Sequence, residues 1–175
     1  MSRYAYADPP YPGQAKRYGP GTEVNHELLI AHLREFDGWA LSTSAAALRD
    51  VWNLCPEARC AAWSKTFARN GWSRVRWSWE PVLFVTDRRG LAPGERTDDY
   101  VWDSLVCAPN CGTGSWREVP GAGGGSKPYE FVRWVMGLLD HQPGDELVDL
   151  FPGSGNVSRF AAVEQPELFG VLARA

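Results

Sequence analysis

Apolar and polar positions along this chain switch between two periods, and each switch marks a predicted element. Tyr4, Ala5, Tyr6 and Ala7 form a short apolar and aromatic run that ends at Asp8-Pro9-Pro10. Two prolines cannot continue a hydrogen-bonded ladder, so a strand should stop there and a rigid loop begin. From Asn25 the spacing becomes helical, with Leu28, Leu29, His32, Leu33 and Phe36 in step and Thr22 or Asn25 placed to cap the helix. Asp37-Gly38 closes that helix, and residues 39–42 read as a buried strand. Ser44 is expected to cap a second helix through Ala45, Leu48, Val51 and Trp52, which Pro56 stops. Residues 60–63 read as a third strand, and the aromatic and β-branched stretch 72–85 as one or two more.

Residues 87–125 are the least regular part, with Pro93-Gly94, Pro109, Gly112, Gly114 and the run Gly123-Gly124-Gly125. They read as a long connection with one strand near 104–108, a length that usually signals function or mobility. Pro128, at the first helical position, opens a helix whose apolar face is Phe131, Val132, Val135, Leu138 and Leu139. A strand over 146–151, a glycine turn, a helix over 156–163 and a short last strand over 168–171 complete the reading. Strands alternating with helices predict a single α/β domain over residues 1–175, with a mostly parallel sheet.

Composition narrows the class. With 44% hydrophobic and 22% charged residues in 175, the chain can bury a core and is not disordered. No apolar run approaches the length of a membrane span. Met1-Ser2-Arg3 leads straight into the first strand with no apolar signal core, so a cytoplasmic location is the expectation. The net charge of -3 argues mildly against a polyanionic partner, but its distribution is uneven. The segment 59–89 holds seven basic residues against two acidic ones, and Trp63, Trp72, Trp77 and Trp79 interleave with Arg69, Arg74 and Arg76 there. Strand alternation would send Trp63 and Trp79 into the core, leaving Arg74 and Arg76, with Lys16 and Arg17, as candidates to touch phosphate. Cys55, Cys60, Cys107 and Cys111 lack the tight spacing of a structural zinc turn and read as free thiols, so no metal is expected.

Two loops carry chemistry. Asp149-Leu150-Phe151-Pro152-Gly153-Ser154-Gly155 is a strand feeding a glycine turn that opens a helix. Such a turn lets a ligand approach the backbone, and the free N–H groups of the helix start favour an anionic or polar group. In Asp8-Pro9-Pro10-Tyr11, the carboxylate and the Pro9 carbonyl can both accept hydrogen bonds from an amino group, and Tyr11 offers a flat face for a base. Two acceptors on one –NH₂ leave its lone pair directed outward, which is positioning and proton-acceptor chemistry.

Taken together, the loops resemble those of the DNA amino-methyltransferases, which modify adenine N6 or cytosine N4. Asp8-Pro9-Pro10-Tyr11 resembles the catalytic motif, and Phe151-Pro152-Gly153-Ser154-Gly155 the S-adenosylmethionine loop. Ser126-Lys127-Pro128 is similar to a Lys-Pro element upstream of that loop. Trp63-Ser64-Lys65 and Trp79-Glu80-Pro81-Val82-Leu83-Phe84 resemble the strands after the catalytic loop. The order, catalytic loop first, matches the circularly permuted beta class, and the small size resembles phage-type members.

The resemblance implies a three-layer Rossmann-like fold and S-adenosylmethionine as cofactor. It implies cofactor contacts from Lys127, Pro128, Asp149, Phe151, Gly153, Ser154 and Gly155, and Asp8, Pro9, Pro10 and Tyr11 as the catalytic loop. DNA would be the partner and adenine N6 the favoured target. Cytosine N4 and RNA adenine are the alternatives, and residues 87–125 are all that is available to read sequence. One departure stands out: where the family places an acidic residue for the ribose hydroxyls, this chain reads Gly170-Val171-Leu172-Ala173. Glu164 or Glu167 could substitute for it. The departure motivates a reading from another class, a catalytically inactive nucleic-acid-binding relative.

Overall fold

Period-two alternation sends side chains to opposite faces of a strand, and in this protein both faces are apolar. The computed structural model describes residues 1–13, 23–66, 74–75, 77–87, 94, 100–108, 127–153 and 155–163. Strand β1 (Arg3–Ala7) lies between β2 (Gly38–Ser42) and β6 (Glu146–Asp149), parallel to both. Its Tyr4 and Tyr6 enter one core, while Ala5 and Ala7 enter the other. Strands β3 (Arg59–Ser64), β4 (Trp79–Thr86) and β5 (Ser104–Val106) extend the sheet to the order β5-β3-β4-β2-β1-β6. β4 is antiparallel to both β2 and β3, and the other pairings are parallel. A strand buried on both sides reads as a continuous apolar run, as β1 and β2 do.

Helices cover both faces. On one, Phe131, Val132, Trp134, Val135, Leu138 and Leu139, from α3 (Tyr129–Leu138) and its cap, pack with Val157 and Ala161 of α4 (Asn156–Val163) over Tyr4, Tyr6, Trp63 and Phe84. On the other, Leu29, Ile30 and Leu33 of α1 (His26–Leu33) and Val51 of α2 (Leu48–Leu54) cover Ala5, Trp39, Leu41 and Leu83. The result is the three-layer, mostly parallel α/β architecture expected from the sequence. Gly38 is needed where β2 meets its neighbours, because a Cβ there would stand 2.8 Å from the Val85 carbonyl oxygen and 2.9 Å from the Tyr4 ring.

Several boundaries differ from the sequence reading. Asn25 caps α1, accepting from the Leu28 amide at 3.1 Å, but the helix ends at Leu33, before Phe36. Ser44 accepts from the Ala47 amide and so closes a turn ahead of α2, which begins one turn later without a side-chain cap. Pro128 is itself the extended N-cap of α3. Among the described residues of 72–85 there is one strand, β4, continuing to Thr86, and β6 stops at Asp149, where the glycine turn takes over. The expected strand over 168–171 and most of 87–125 lie outside the described residues. Among the described residues no helix is long and apolar enough to cross a membrane.

Candidate active site

Parallel strands open their carboxyl ends on one edge of the sheet, and a crevice forms where neighbouring connections leave in opposite directions. β1 is at such a point, with β2 on one side and β6 on the other. Tyr6 is in register with Asp149, and the Leu150 amide donates to the Tyr6 carbonyl at 2.9 Å. The Asp8-Pro9-Pro10-Tyr11 loop and the Phe151–Gly155 turn therefore leave adjacent strands on the same edge. The order along the chain is separated by most of its length, yet the sheet makes the two loops neighbours.

The tetrapeptide is clad in charge. Lys127, only 6% exposed, places its Nζ 3.2 Å from Asp8 Oδ2 and 3.0 Å from Glu80 Oε2. Lys65 donates to the other oxygen of Glu80. Tyr11 belongs to the same cluster, its hydroxyl acted on by the charges of Lys127, Asp8 and Glu80. Under this chain of charges lie aromatic rings: Lys127 Nζ stands 5.1 Å from the Trp63 centroid and 5.2 Å from that of Phe131, and Lys65 Nζ stands 4.9 Å from Trp63. A cation over ring faces gains electrostatic attraction where water is excluded. Deeper still, the Tyr6 hydroxyl shares a hydrogen bond of 2.8 Å with Ser42.

Burial and charge compete here, and different groups settle differently. Burial pushes the Asp8 carboxyl above its ordinary range, and Glu80 adds to this, while Lys127 and Lys65 pull the other way. Burial acts in the same sense on Glu80, but Lys127 and Lys65 outweigh it and hold that carboxyl below its usual range. Burial disfavours charge on Lys127 too, yet Asp8, Tyr6, Tyr11 and Glu80 together raise it well above its ordinary value. Tyr6 and Tyr11 are both raised, chiefly by burial. At neutral pH the cluster thus holds a charged lysine, a charged glutamate and a carboxyl at Asp8 that takes up a proton more readily than usual.

The glycine turn is built differently. Asp149 accepts from the Phe151 amide at 3.2 Å and from the Ser158 hydroxyl at 3.4 Å, which ties the end of β6 to the first turn of α4. Burial raises the Asp149 carboxyl. Gly153 and Gly155 have φ of 48° and 74°, the left-handed region that glycine enters without a steric penalty. No heavy atom lies within 4 Å of a Cβ built on Gly155, so the backbone there borders open space.

The sequence-predicted residues divide clearly. Asp8 and Tyr11 share one cluster with Lys127, whose ammonium engages Asp8 and Glu80. Pro128 is buried beside it, and Asp149, Phe151, Gly153 and Gly155 form the neighbouring turn. Arg74 is exposed. Lys16, Arg17, Arg76 and Ser154 lie outside the described residues, as do Glu164 and Glu167. Trp63 is buried as strand alternation predicted, and Trp77 is 62% exposed. Glu80, Lys65, Tyr6 and Ser42 were not singled out as site residues. The signal for Glu80 was present: an acid inside the otherwise apolar strand Trp79-Glu80-Pro81-Val82-Leu83-Phe84 needs a buried partner.

Among the described residues no three His, Cys, Asp or Glu side chains converge as a metal site. Cys55 donates to the Val51 carbonyl, and burial pushes its thiol up to about 11. Cys60 donates to the Ala61 carbonyl, Cys107 Sγ accepts from the Trp63 indole at 3.2 Å, and Cys111 lies outside the described residues.

The fold has a counterpart among solved structures. The fold matches that of the M1.HpyAVI–SAM complex with a TM-score of 0.59 at 14% identity, over 91% of this chain and 76% of that one. No protein-family profile matches the chain, and no curated protein does. The class defined is a Rossmann-like α/β fold of the kind seen in a SAM-bound protein, with two loops side by side at the carboxyl ends of adjacent strands.

Proposed function

We propose that this protein transfers a methyl group from S-adenosylmethionine to the exocyclic amine of a nucleobase, adenine N6 in DNA. The observation that carries the reading is the juxtaposition of the Asp8-Pro9-Pro10-Tyr11 loop with the Gly153–Gly155 turn at the ends of β1 and β6. Its fold, shared with a SAM complex, supports it.

The residues present fit the cofactor. The left-handed glycines and the space around Gly155 admit a ligand against the backbone. Asp149 lies at the base of that turn, where it can meet an ammonium, and the start of α4 offers N–H groups to a polar ligand. S-adenosylmethionine supplies an electrophilic methyl when bound. Asp8 and the Pro9 carbonyl accept the two hydrogens of the target amine and so direct its lone pair outward. Asp8, whose carboxyl accepts a proton more readily than usual, receives the proton released as the new N–C bond forms. Tyr11 presents its ring to a base turned out of the stack. The catalytic-loop-first order supports the permuted beta class. Arg74, with Lys16, Arg17 and Arg76, is assigned to phosphate, and the protein acts in the cytoplasm, where its substrate lies.

The experiment is incubation of the purified protein with methyl-labelled S-adenosylmethionine and duplex DNA, followed by nucleoside analysis for N6-methyladenine and N4-methylcytosine. N6-methyladenine is the expected product. N4-methylcytosine, or product only with RNA, would redirect the substrate assignment. Cofactor binding without transfer to any nucleic acid would favour a non-catalytic binding module.

A further inference from the structure

Asp8 is governed by one side chain from the middle of the sheet. Glu80 Oε2 is 3.0 Å from Lys127 Nζ, which in turn is 3.2 Å from Asp8 Oδ2. On its far side Glu80 is engaged by Lys65. Four elements meet at this point: the loop after β1, the start of β4, the residue after β3 and the entry to α3. We propose that Glu80 is a positioning residue for the catalytic tetrapeptide, holding Asp8 through Lys127. The proposal rests on the methyltransferase reading of the site.

Lys127 places its ammonium at Asp8 Oδ2, and the other carboxylate oxygen keeps its lone pairs for the target amine. Glu80 takes part of that ammonium, and Lys65 compensates Glu80 in turn. Lys127 therefore orients Asp8 without monopolising it. Small misplacements of such an acceptor cost up to about a hundredfold in rate.

The groups facing Asp8 are Lys127, Glu80, Lys65, Tyr6 and Tyr11, with Asp149 from the neighbouring strand. Their signs make the proposal testable. Glu80 repels charge on Asp8, whereas Lys65 and Lys127 favour it. Glu80→Gln should therefore move the titration of Asp8 to lower pH, and Lys65→Met should move it to higher pH. The measurement is carbon-13 NMR of the full-length protein labelled at aspartate carboxyls, with Asp8→Asn identifying the resonance. In parallel, Glu80→Gln should lose up to about a hundredfold in kcat with S-adenosylmethionine affinity unchanged, because it acts on the loop through Lys127 and not on the glycine turn. A residue with a merely structural role would not produce titration shifts of opposite sign. Should Glu80→Gln not fold, the Lys65→Met shift still decides, since Lys65 meets Glu80 from outside the cluster. Unmoved Asp8 titration in the folded variants, or full kcat in Glu80→Gln, would overturn the proposal. Absence of methyl transfer by the wild type retires the functional reading while leaving the titrations to judge Glu80 on its own.

Discussion

The two loops at the carboxyl edge of the sheet are neighbours in space but opposites in construction. The glycine turn is held by its own sequence: Asp149 binds Phe151 and Ser158, and the glycines adopt a backbone only they take without strain. The tetrapeptide is held from afar, by Lys127 and Glu80, which stand well over 50 residues from Asp8 along the chain. The first kind of loop is portable and readable from a short motif. The second kind depends on the whole sheet being closed, because its supports arrive on β4 and at the entry to α3. Under the proposed function the difference is a division of labour: local geometry grips the cofactor, and global folding aims the base.

The sharpest way to break the comparison is to remove the acceptor without touching the grip. Asp8→Ala should lower methyl transfer by about a thousandfold or more while leaving S-adenosylmethionine affinity near wild type, since the target amine and Lys127 lose a partner while the hydrogen bonds of the glycine turn are untouched. Single-turnover assays alongside calorimetric titration would check both halves. Loss of cofactor binding in this variant would mean that the two loops are not functionally separate.

Next in size is the floor under the tetrapeptide. Phe131 is fully buried, contacts Trp63 with centroids 4.8 Å apart, and lies beneath Lys127. Phe131→Ala should cost about 3–5 kcal/mol of stability, readable by urea unfolding. The same variant should disturb Asp8 more than the glycine turn, because the turn's hydrogen bonds are its own. Gly155→Val tests the converse. A β-branched side chain at φ 74° costs roughly 1–2 kcal/mol, and its Cβ enters the open space beside the turn. It should lose cofactor affinity by about a hundredfold with its circular dichroism preserved. A folded Gly155→Val that binds S-adenosylmethionine as tightly as wild type would place the cofactor elsewhere.

The same division explains what could be read from the sequence. The two-sided burial of β1 and β2, the helix over 156–163, the apolar face of α3 and the glycine turn were all legible, because each is written in residues close together. Helix starts were read less well. Ser44 does bind a backbone amide, but one turn early, and nothing in the sequence distinguishes a capped turn from a capped helix. The antiparallel insertion of β4 between β2 and β3 was not legible either, since apolar alternation carries no direction. Without that strand order Glu80 cannot be placed beside Asp8. Lys127 was found through its motif, but its partners could be named only once α3 and β4 were packed together.

The smallest effect expected, and the most direct test of how the two carboxylates differ, is in stability against pH. Burial raises the folded-state titration of Asp8 above its unfolded value, so the folded protein binds that proton more readily than the unfolded chain does. Its favourable contribution is fully present below the unfolded carboxylate range and is lost as pH rises through the raised folded value. At neutral pH an ionised Asp8 is therefore a cost to the fold. Glu80 has the opposite sign: its lowered folded value gives stability that is present above the unfolded range and lost as pH falls through the folded value. Asp8→Asn, a neutral isostere of the protonated acid, should raise Tm by a few degrees at pH 7 to 8, and this advantage should shrink as pH approaches the carboxylate range. Glu80→Gln should instead lower Tm at neutral pH, with a penalty that also shrinks on acidification. Thermal melts of both variants over a pH series check the pair. A destabilised Asp8→Asn at neutral pH would show that the ion pair with Lys127 outweighs burial at Asp8, and the contrast between the two carboxylates would vanish.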